Sequence, residues 1–207
     1  MKHGNFITFE GLDGAGKTTQ AALLAATLRQ SGKEVIETRE PGGTEIGESL
    51  RSLALKTEGL DAVTETLLML AARREHIHHL INPALARGAW VICDRFSDST
   101  YAYQGGGRGV CQKWLHACLS EVENSLQPAV SFYLDVPPTF SAHLSSKDVF
   151  ETAGDSFYSS VKKAYQKIII DNPKRVVSIS WEKNGVRRTR ESIAEEIAAV
   201  VRERFFK

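Results

Sequence analysis

Residues Gly11 to Thr18, GLDGAGKT, carry the spacing G-x-x-x-x-G-K-[ST]. Glycines at these places let consecutive backbone N–H groups turn inward as a nest for anions, and a helix starting near Lys17 would add the partial positive charge of its N-terminus. In that arrangement Lys17 reaches the β- and γ-phosphates of a nucleotide and Thr18 offers a hydroxyl to Mg2+. The phosphate cradle is therefore Gly11, Leu12, Asp13, Gly14, Ala15, Gly16, Lys17 and Thr18. Asp13 is the odd member, because a carboxylate pointing into the nest repels phosphate. It is either a solvated loop charge or an acceptor for a sugar hydroxyl of a second ligand. A second pair follows the apolar run WVIC: Asp94, an acid suited to a place near Mg2+, and Arg95, a guanidinium able to grip phosphate through two parallel hydrogen bonds.

These groups need elements to hold them. FITFEG reads as a buried strand running into the glycine loop, and KTTQAALLAATLRQ as a helix with Ala21, Leu24, Ala25 and Leu28 on one face and Gly32 as its stop. KEVIET, AWVICD, AVSFYLD and VVSIS are further short apolar runs, two of them ending in aspartate. Between them TEIGESLRSLAL and the stretch from Asp61 to Arg87 read as helices, the second capped by Asp61 and disturbed at Pro83. A last helix places Ile193, Ile197, Val200 and Val201 on one face. Five strands alternating with helices predict a parallel sheet covered on both sides, with ligands beyond the carboxyl ends of the strands, where Gly11, Asp94 and Asp135 fall.

The 207 residues fit one domain, and the polar segment 145–156 is the candidate for a mobile lid. With 26 basic against 25 acidic side chains, the balanced charge argues against nucleic acid and membrane surfaces as partners. Three cysteines without a C-x-x-C pair fit reduced thiols in a cytoplasm, with Cys111 and Cys118 packing inside. His76 and His79, one helical turn apart, fit a solvated helix face better than a metal site, and RRTRE near residue 190 a helix start. A guanine-nucleotide switch would need N-K-x-D, which WEKNGV does not supply.

The segments FEGLDGAGKTTQ, TREPGGTEIGESLRSLAL, LLMLAARREH, VICDRFSDSTYAYQGGGRG and FYLDV together resemble the bacterial thymidylate kinases, in the family's order and spacing from about residue 6 onward. The resemblance implies a three-layer P-loop NTPase fold of α/β class, a five-stranded parallel sheet flanked by helices with a short lid, working as a cytoplasmic homodimer. It implies transfer of the γ-phosphate of ATP to dTMP, with Mg2+ held by Thr18 and Asp94, and Lys17, Arg95 and Asp13 in the transfer itself. The acceptor dTMP would be bound by Asp13, Glu40, Arg51, Met69, Arg73, Arg95, Thr100, Tyr103 and Gln104. In that assignment Asp13 faces the 3'-hydroxyl and Arg51 and Arg95 the acceptor phosphate. Arg73 faces a thymine carbonyl, Thr100 and Gln104 the base, and Tyr103 the sugar, with Glu40 at the floor. Met69 stands where the family usually stacks a phenylalanine on thymine, which leaves another nucleoside monophosphate open as acceptor.

The lid departs further. Phosphoryl transfer places charge on the equatorial oxygens of the moving group, and an arginine there is worth about 10^3 to 10^5 in rate. Gly14 occupies the loop position at which some members carry it, yet no arginine occurs from residue 109 to 174, and Val149 stands at the usual lid position. Lys147, a point charge without the planar fork, can take its place, Arg108 can approach from elsewhere, or turnover is weak.

Overall fold

The computed structural model describes residues 4–137 and 154–206. Its centre is β1, Phe6–Gly11, buried at every residue, as a strand covered on both faces must be. β1 runs parallel between β3, Trp90–Asp94, and β4, Val130–Asp135, with Phe6 opposite Val91 and Ile7 opposite Val130. β2, Val35–Arg39, lies outside β3, and β5, Val176–Ser180, outside β4, giving the order β2-β3-β1-β4-β5. The chain therefore leaves β1 for one side of the sheet and later returns to the other, so a crevice opens beyond the end of β1.

Alternation along the strands fills two interiors. Ile7, Phe9, Trp90, Ile92 and Phe132 pack with Leu24 and Leu28 of α1, Lys17–Gln30, and with Ile197 and Val201 of the C-terminal helix, Arg190–Phe205. The neighbouring residues Phe6, Val91 and Cys93 face the other way, onto Ile77, Ile81 and Phe96. Tyr133 of β4 meets Val161 and Tyr165, both from the helix Gly154–Asp171. Each such aliphatic side chain contributes about 1.5–3 kcal/mol by leaving water, which makes the sheet a rigid base for the loops at its edge.

The helices on the second face carry residues expected on the acceptor side. α2, Glu45–Lys56, is capped by Thr44, whose hydroxyl accepts from Gly47 N at 3.0 Å. α3, Ala62–His76, is capped by Asp61, which accepts from Val63 N and Thr64 N. The helix expected from Asp61 to Arg87 is interrupted: a π-helical turn, Ile77–Ile81, joins α3 to α4, Asn82–Ala86. Pro83, without an N–H, cannot continue the α-helical ladder, and Asn82 N reaches back five residues to Ile77 O. After β3 comes α5, Ser97–Thr100, which runs into a second π-helical stretch, Tyr101–Gly107, and then α6, Gln112–Glu123. The helices Gly154–Asp171 and Arg190–Phe205 are α7 and α8.

One further expectation changes. Cys111 is exposed at the start of α6 and Cys118 half-buried, so they are not packed inside; Cys93 is the buried thiol. A two-residue antiparallel pair, β6 (Glu182–Lys183) and β7 (Val186–Arg187), adds to the five strands. It turns through Asn184 and Gly185, both at positive φ, as a tight hairpin requires. Of the lid segment 145–156, residues 145–153 lie outside the described residues, and 154–156 begin α7.

Candidate active site

The donor side is built by the turn from β1 into α1. Gly11 sits at φ 135°, and a Cβ there would lie 2.7 Å from the carbonyl oxygen of Leu134, so only glycine passes. Lys17 is buried, and its Nζ donates to Leu12 O at 2.8 Å, curling back over the loop. Burial and the neighbouring Arg95 bring its ammonium down to about 8, against the pull of Asp94, Asp13 and Glu10. Thr18 Oγ1 donates to Asp94 Oδ2 at 2.6 Å, joining the start of α1 to the end of β3. Two hard oxygen donors side by side next to a phosphate nest suit Mg2+, which binds through one or two protein oxygens plus phosphates and water.

Arg95 lies just beyond Asp94 with φ 73°, a left-handed backbone in which a non-glycine residue stores about 1–3 kcal/mol. The guanidinium offsets that strain with a dense set of bonds. Nη1 donates to Gly11 O at 2.8 Å and Ser99 Oγ at 3.1 Å; Nη2 donates to Asp13 Oδ1 at 2.5 Å and to the Tyr103 hydroxyl at 3.1 Å. The hydroxyl of Tyr103 in turn donates to Asp13 Oδ2 at 3.2 Å, and Arg95 lies over the Tyr103 ring. Burial works against the ionised carboxyl of Asp13, but Arg95 and Lys17 outweigh it and hold the group below the usual carboxylate range. Asp13, Arg95 and Tyr103 thus meet as one cluster, joined to the phosphate loop through Gly11.

Beneath this cluster lies Glu10, which no motif singles out. Its Oε1 accepts from Phe96 N at 2.8 Å and its Oε2 from Ser99 Oγ at 2.6 Å and the Tyr165 hydroxyl at 3.2 Å. Burial, helped by nearby Asp98, pushes its carboxyl up to about 8. Tyr165 also hydrogen-bonds Ser99, at 2.9 Å, so α7 is anchored to the residues that carry Arg95.

The residues expected beneath a base, Met69 and Arg73, lie on one face of α3. Glu65, Met69 and Arg73, at i, i+4 and i+8, are all buried there. Arg73 Nε donates to Glu40 Oε2 at 2.7 Å, its guanidinium lies over Phe96, and its Nη1 stands 3.7 Å from Glu123 Oε1. Burial raises Glu123 against the pull of Arg73. Glu40 is opposed by burial too, yet Arg73 and His76 hold it below the usual carboxylate range. His76 is fully buried, contrary to a solvated helix face: Nδ1 bonds Glu40 Oε1 at 2.9 Å and Nε2 bonds Thr38 Oγ1 at 2.7 Å. Its neighbours His78 and His79 are exposed. The loop Pro41–Thr44 wraps this network so closely that a Cβ on Gly43 would lie 2.5 Å from the imidazole. Glu40, His76 and Cys93 bring ligand-type atoms within 4.8 Å of one another. Those of Glu40 and His76 are already hydrogen-bonded, and Cys93 Sγ donates to Arg95 O, so they form an orienting network rather than a metal cage.

Of the remaining expected residues, Arg51 donates to Pro41 O at 3.0 Å, Thr100 is buried at the end of α5, and Gln104 is buried one turn later. Gln104 Nε2 donates to Glu65 Oε1 at 3.0 Å, and Arg108 Nη2 to Glu65 Oε2 at 2.9 Å, with Arg108 stacked over Phe157 of α7. Lys147 lies outside the described residues. The arrangement brings Asp13, Arg95 and Tyr103 together, and Met69 and Arg73 onto one face. Glu10, Glu65, Ser99, Glu123 and Tyr165 carry no signal in the motifs, and His76 reads there as a solvated residue. The i, i+4, i+8 spacing of Glu65 was visible, but its partners were not.

A family model described as thymidylate kinase matches residues 9–193. The chain is 52% identical over 170 residues to the thymidylate kinase of Nitrosomonas eutropha, spanning 80% of this chain and 79% of that protein. It is 43% identical over 204 residues to the thymidylate kinase of Thiobacillus denitrificans, spanning 97% of each. A crystal structure of thymidylate kinase from Ehrlichia chaffeensis superposes with a TM-score of 0.83 at 36% identity, over 96% of this chain and 99% of that one.

Proposed function

The chain belongs to the thymidylate kinase family, and on that premise we propose how its residues transfer the γ-phosphate of ATP to dTMP, giving ADP and dTDP. The observation that carries this reading is the junction of two clusters at the carboxyl edge of β1 and β3. Lys17 and the Thr18–Asp94 pair lie beside the cluster of Asp13, Arg95 and Tyr103, which Arg95 ties to Gly11 O. Residues 11–18 hold the donor phosphates through backbone N–H groups, and Lys17 takes the β- and γ-oxygens. Mg2+ bound between Thr18 and Asp94 would neutralise charge shared by the β- and γ-phosphates.

Arg95 exchanges part of its bond to Asp13 for the acceptor phosphate, seconded by Arg51, and Asp13 receives the 3'-hydroxyl of the sugar. Tyr103 lies against the sugar where a 2'-hydroxyl would project. Glu40 acts through Arg73, which donates to the thymine carbonyl, and Met69 covers the base. An oxygen of the dTMP phosphate then bonds to the γ-phosphorus as its bond to the bridging oxygen breaks, and ADP leaves with that electron pair. Positioning and charge neutralisation supply the rate. Lys147, in a lid of about residues 145–156 within one kinase domain, is the cation we assign to the equatorial oxygens.

The test is ADP release from MgATP by the purified chain with dTMP, dUMP, dCMP or dGMP as acceptor, beside Lys147→Ala. Turnover largely confined to dTMP supports the reading. Equal turnover on another monophosphate, or tight binding of both nucleotides without product, overturns it.

We extend the proposal to a cytoplasmic homodimer. Ile46 and Leu53 of α2 and Val63 and Leu67 of α3 are large apolar side chains left about half exposed on adjoining helices, the kind of patch a second copy covers. No helix of the described residues is long and apolar enough to cross a membrane. Sedimentation of the wild type against Leu53→Glu/Leu67→Glu tests the dimer: the wild type runs at twice the chain mass and the variant at one, and a monomeric wild type refutes it.

A further inference from the structure

Glu65 is a buried carboxylate with no part in the chemistry above. It sits two turns before Arg73 on the same face of α3, with Met69 between them. Its two oxygens receive Gln104 Nε2 at 3.0 Å and Arg108 Nη2 at 2.9 Å. A primary amide has two unlike ends, a donor NH2 and an acceptor oxygen, and the two can exchange by a half-turn. A carboxylate paired with a guanidinium only accepts. Beside it the amide has one arrangement: NH2 toward Glu65, oxygen away. Among the described residues, nothing donates to that oxygen.

We infer that Glu65 is the specificity-determining positioning residue of the base pocket, fixing Gln104 so that its oxygen faces the base as an acceptor. This rests on reading the pocket as the one that receives thymine. Thymine offers an acceptor at O4 and a donor at N3–H, whereas cytosine offers a donor at N4 and an acceptor at N3. Arg73, which only donates, matches O4 and opposes a cytosine amino group. Gln104 oriented by Glu65 matches N3–H and opposes a bare cytosine N3. The pocket therefore reads two adjacent atoms with opposite polarity, and each reader is held by its own buried carboxylate: Arg73 by Glu40, Gln104 by Glu65. Uracil shares both atoms with thymine, so this device rejects cytosine and not uracil.

The discriminating experiment is the ratio of kcat/KM for dTMP over dCMP in the wild type and in Glu65→Gln, which keeps the shape. The new amide can offer either end to Gln104, so Gln104 becomes free to present its NH2 to the base. The expected result is a fall in that ratio by about 10- to 100-fold, the scale of one mispaired buried polar group. It should appear as a higher KM for dTMP and a lower KM for dCMP, with kcat for dTMP within about twofold. A merely structural role lowers kcat/KM for both acceptors alike, and an unchanged ratio overturns the inference. Should Glu65→Gln not fold, Gln104→Leu reads the same contact: the dTMP:dCMP ratio falls if Gln104 meets N3, and a constant ratio refutes it. Failure of the wild type to phosphorylate dTMP would instead refute the reading of the pocket, a result separable from either ratio.

Discussion

The proposed donor half of the site is the turn of residues 11–18 joined by Asp94 alone, while the proposed acceptor half is gathered from Asp13 of that turn, the end of β2, α2, α3, the end of β3, α5 and the π-helical stretch after it. The first works through backbone groups whose direction is set by glycines and by a helix start, and its one long side chain, Lys17, is folded back onto Leu12. The second works through side-chain tips that need outside support. Arg95 is backed by Ser99 above Glu10, Arg73 by Glu40 and His76, and Gln104 by Glu65. A group that must meet any nucleotide's phosphates can be held by local geometry, whereas the groups proposed to read one base, Arg73 and Gln104, are fixed by buried carboxylates from other parts of the chain.

The comparison breaks most sharply at Lys17. Lys17→Met should lower kcat about 10^3-fold, the upper range for losing one charge-stabilising group, while isothermal titration finds dTMP affinity within about twofold. A matching loss of dTMP affinity would mean that the two halves are not separable. Arg73→Met should act on the other half, lowering kcat/KM for dTMP roughly 100-fold through KM. It should also lose about 3–5 kcal/mol of stability, because Glu40 stays buried without its cation. Adding Glu40→Gln should restore much of the melting temperature and none of the KM, which separates recognition from support.

Glu10 gives the next effect in size. Its carboxyl is held protonated in the folded chain up to about 8 but ionises near 4.5 when unfolded. Between those values the folded state binds the extra proton, so this group's contribution makes stability fall as pH rises through the window, by of order 1 kcal/mol per pH unit. Glu10→Gln should flatten that slope in urea melts taken from pH 5 to 8, and an unaltered slope rejects the assignment. The smallest change is Tyr165→Phe, which deletes a hydroxyl shared by Glu10 and Ser99. It should destabilise by about 1 kcal/mol and lower kcat/KM less than tenfold; a purely donor-side defect in ATP affinity would contradict its link to Arg95.

The same contrast explains what the sequence discloses. The phosphate loop, the strands and the Asp94–Arg95 pair are legible because their meaning lies in local spacing: a run such as WVICD is strand and strand end wherever it folds. Met69 and Arg73 are legible only through the order of several segments taken together, and the structure sets them on one helix face. Glu10, Glu65, His76 and Tyr165 carry no local mark, since each acts through a residue 36 or more positions away. His76 reads as solvated beside His78 and His79 because the π-helical turn that follows it redirects the face. The hairpin at 182–187 is a different omission: Asn184–Gly185 is a recognised turn signal, obscured by strands of only two residues.

The three positions Glu65, Met69 and Arg73 have a bearing on how such chains change length over time. At 3.6 residues per turn, one residue inserted or deleted between 65 and 73 swings everything beyond it by about 100°, carrying Arg73 off Glu40 while Glu65 stays on Gln104. Substitution along α3 is graded, but a change of length is all or nothing. Length variation among relatives is thus expected in the loops bounding α3, and a register shift inside α3 would remove the proposed base contacts in a single step.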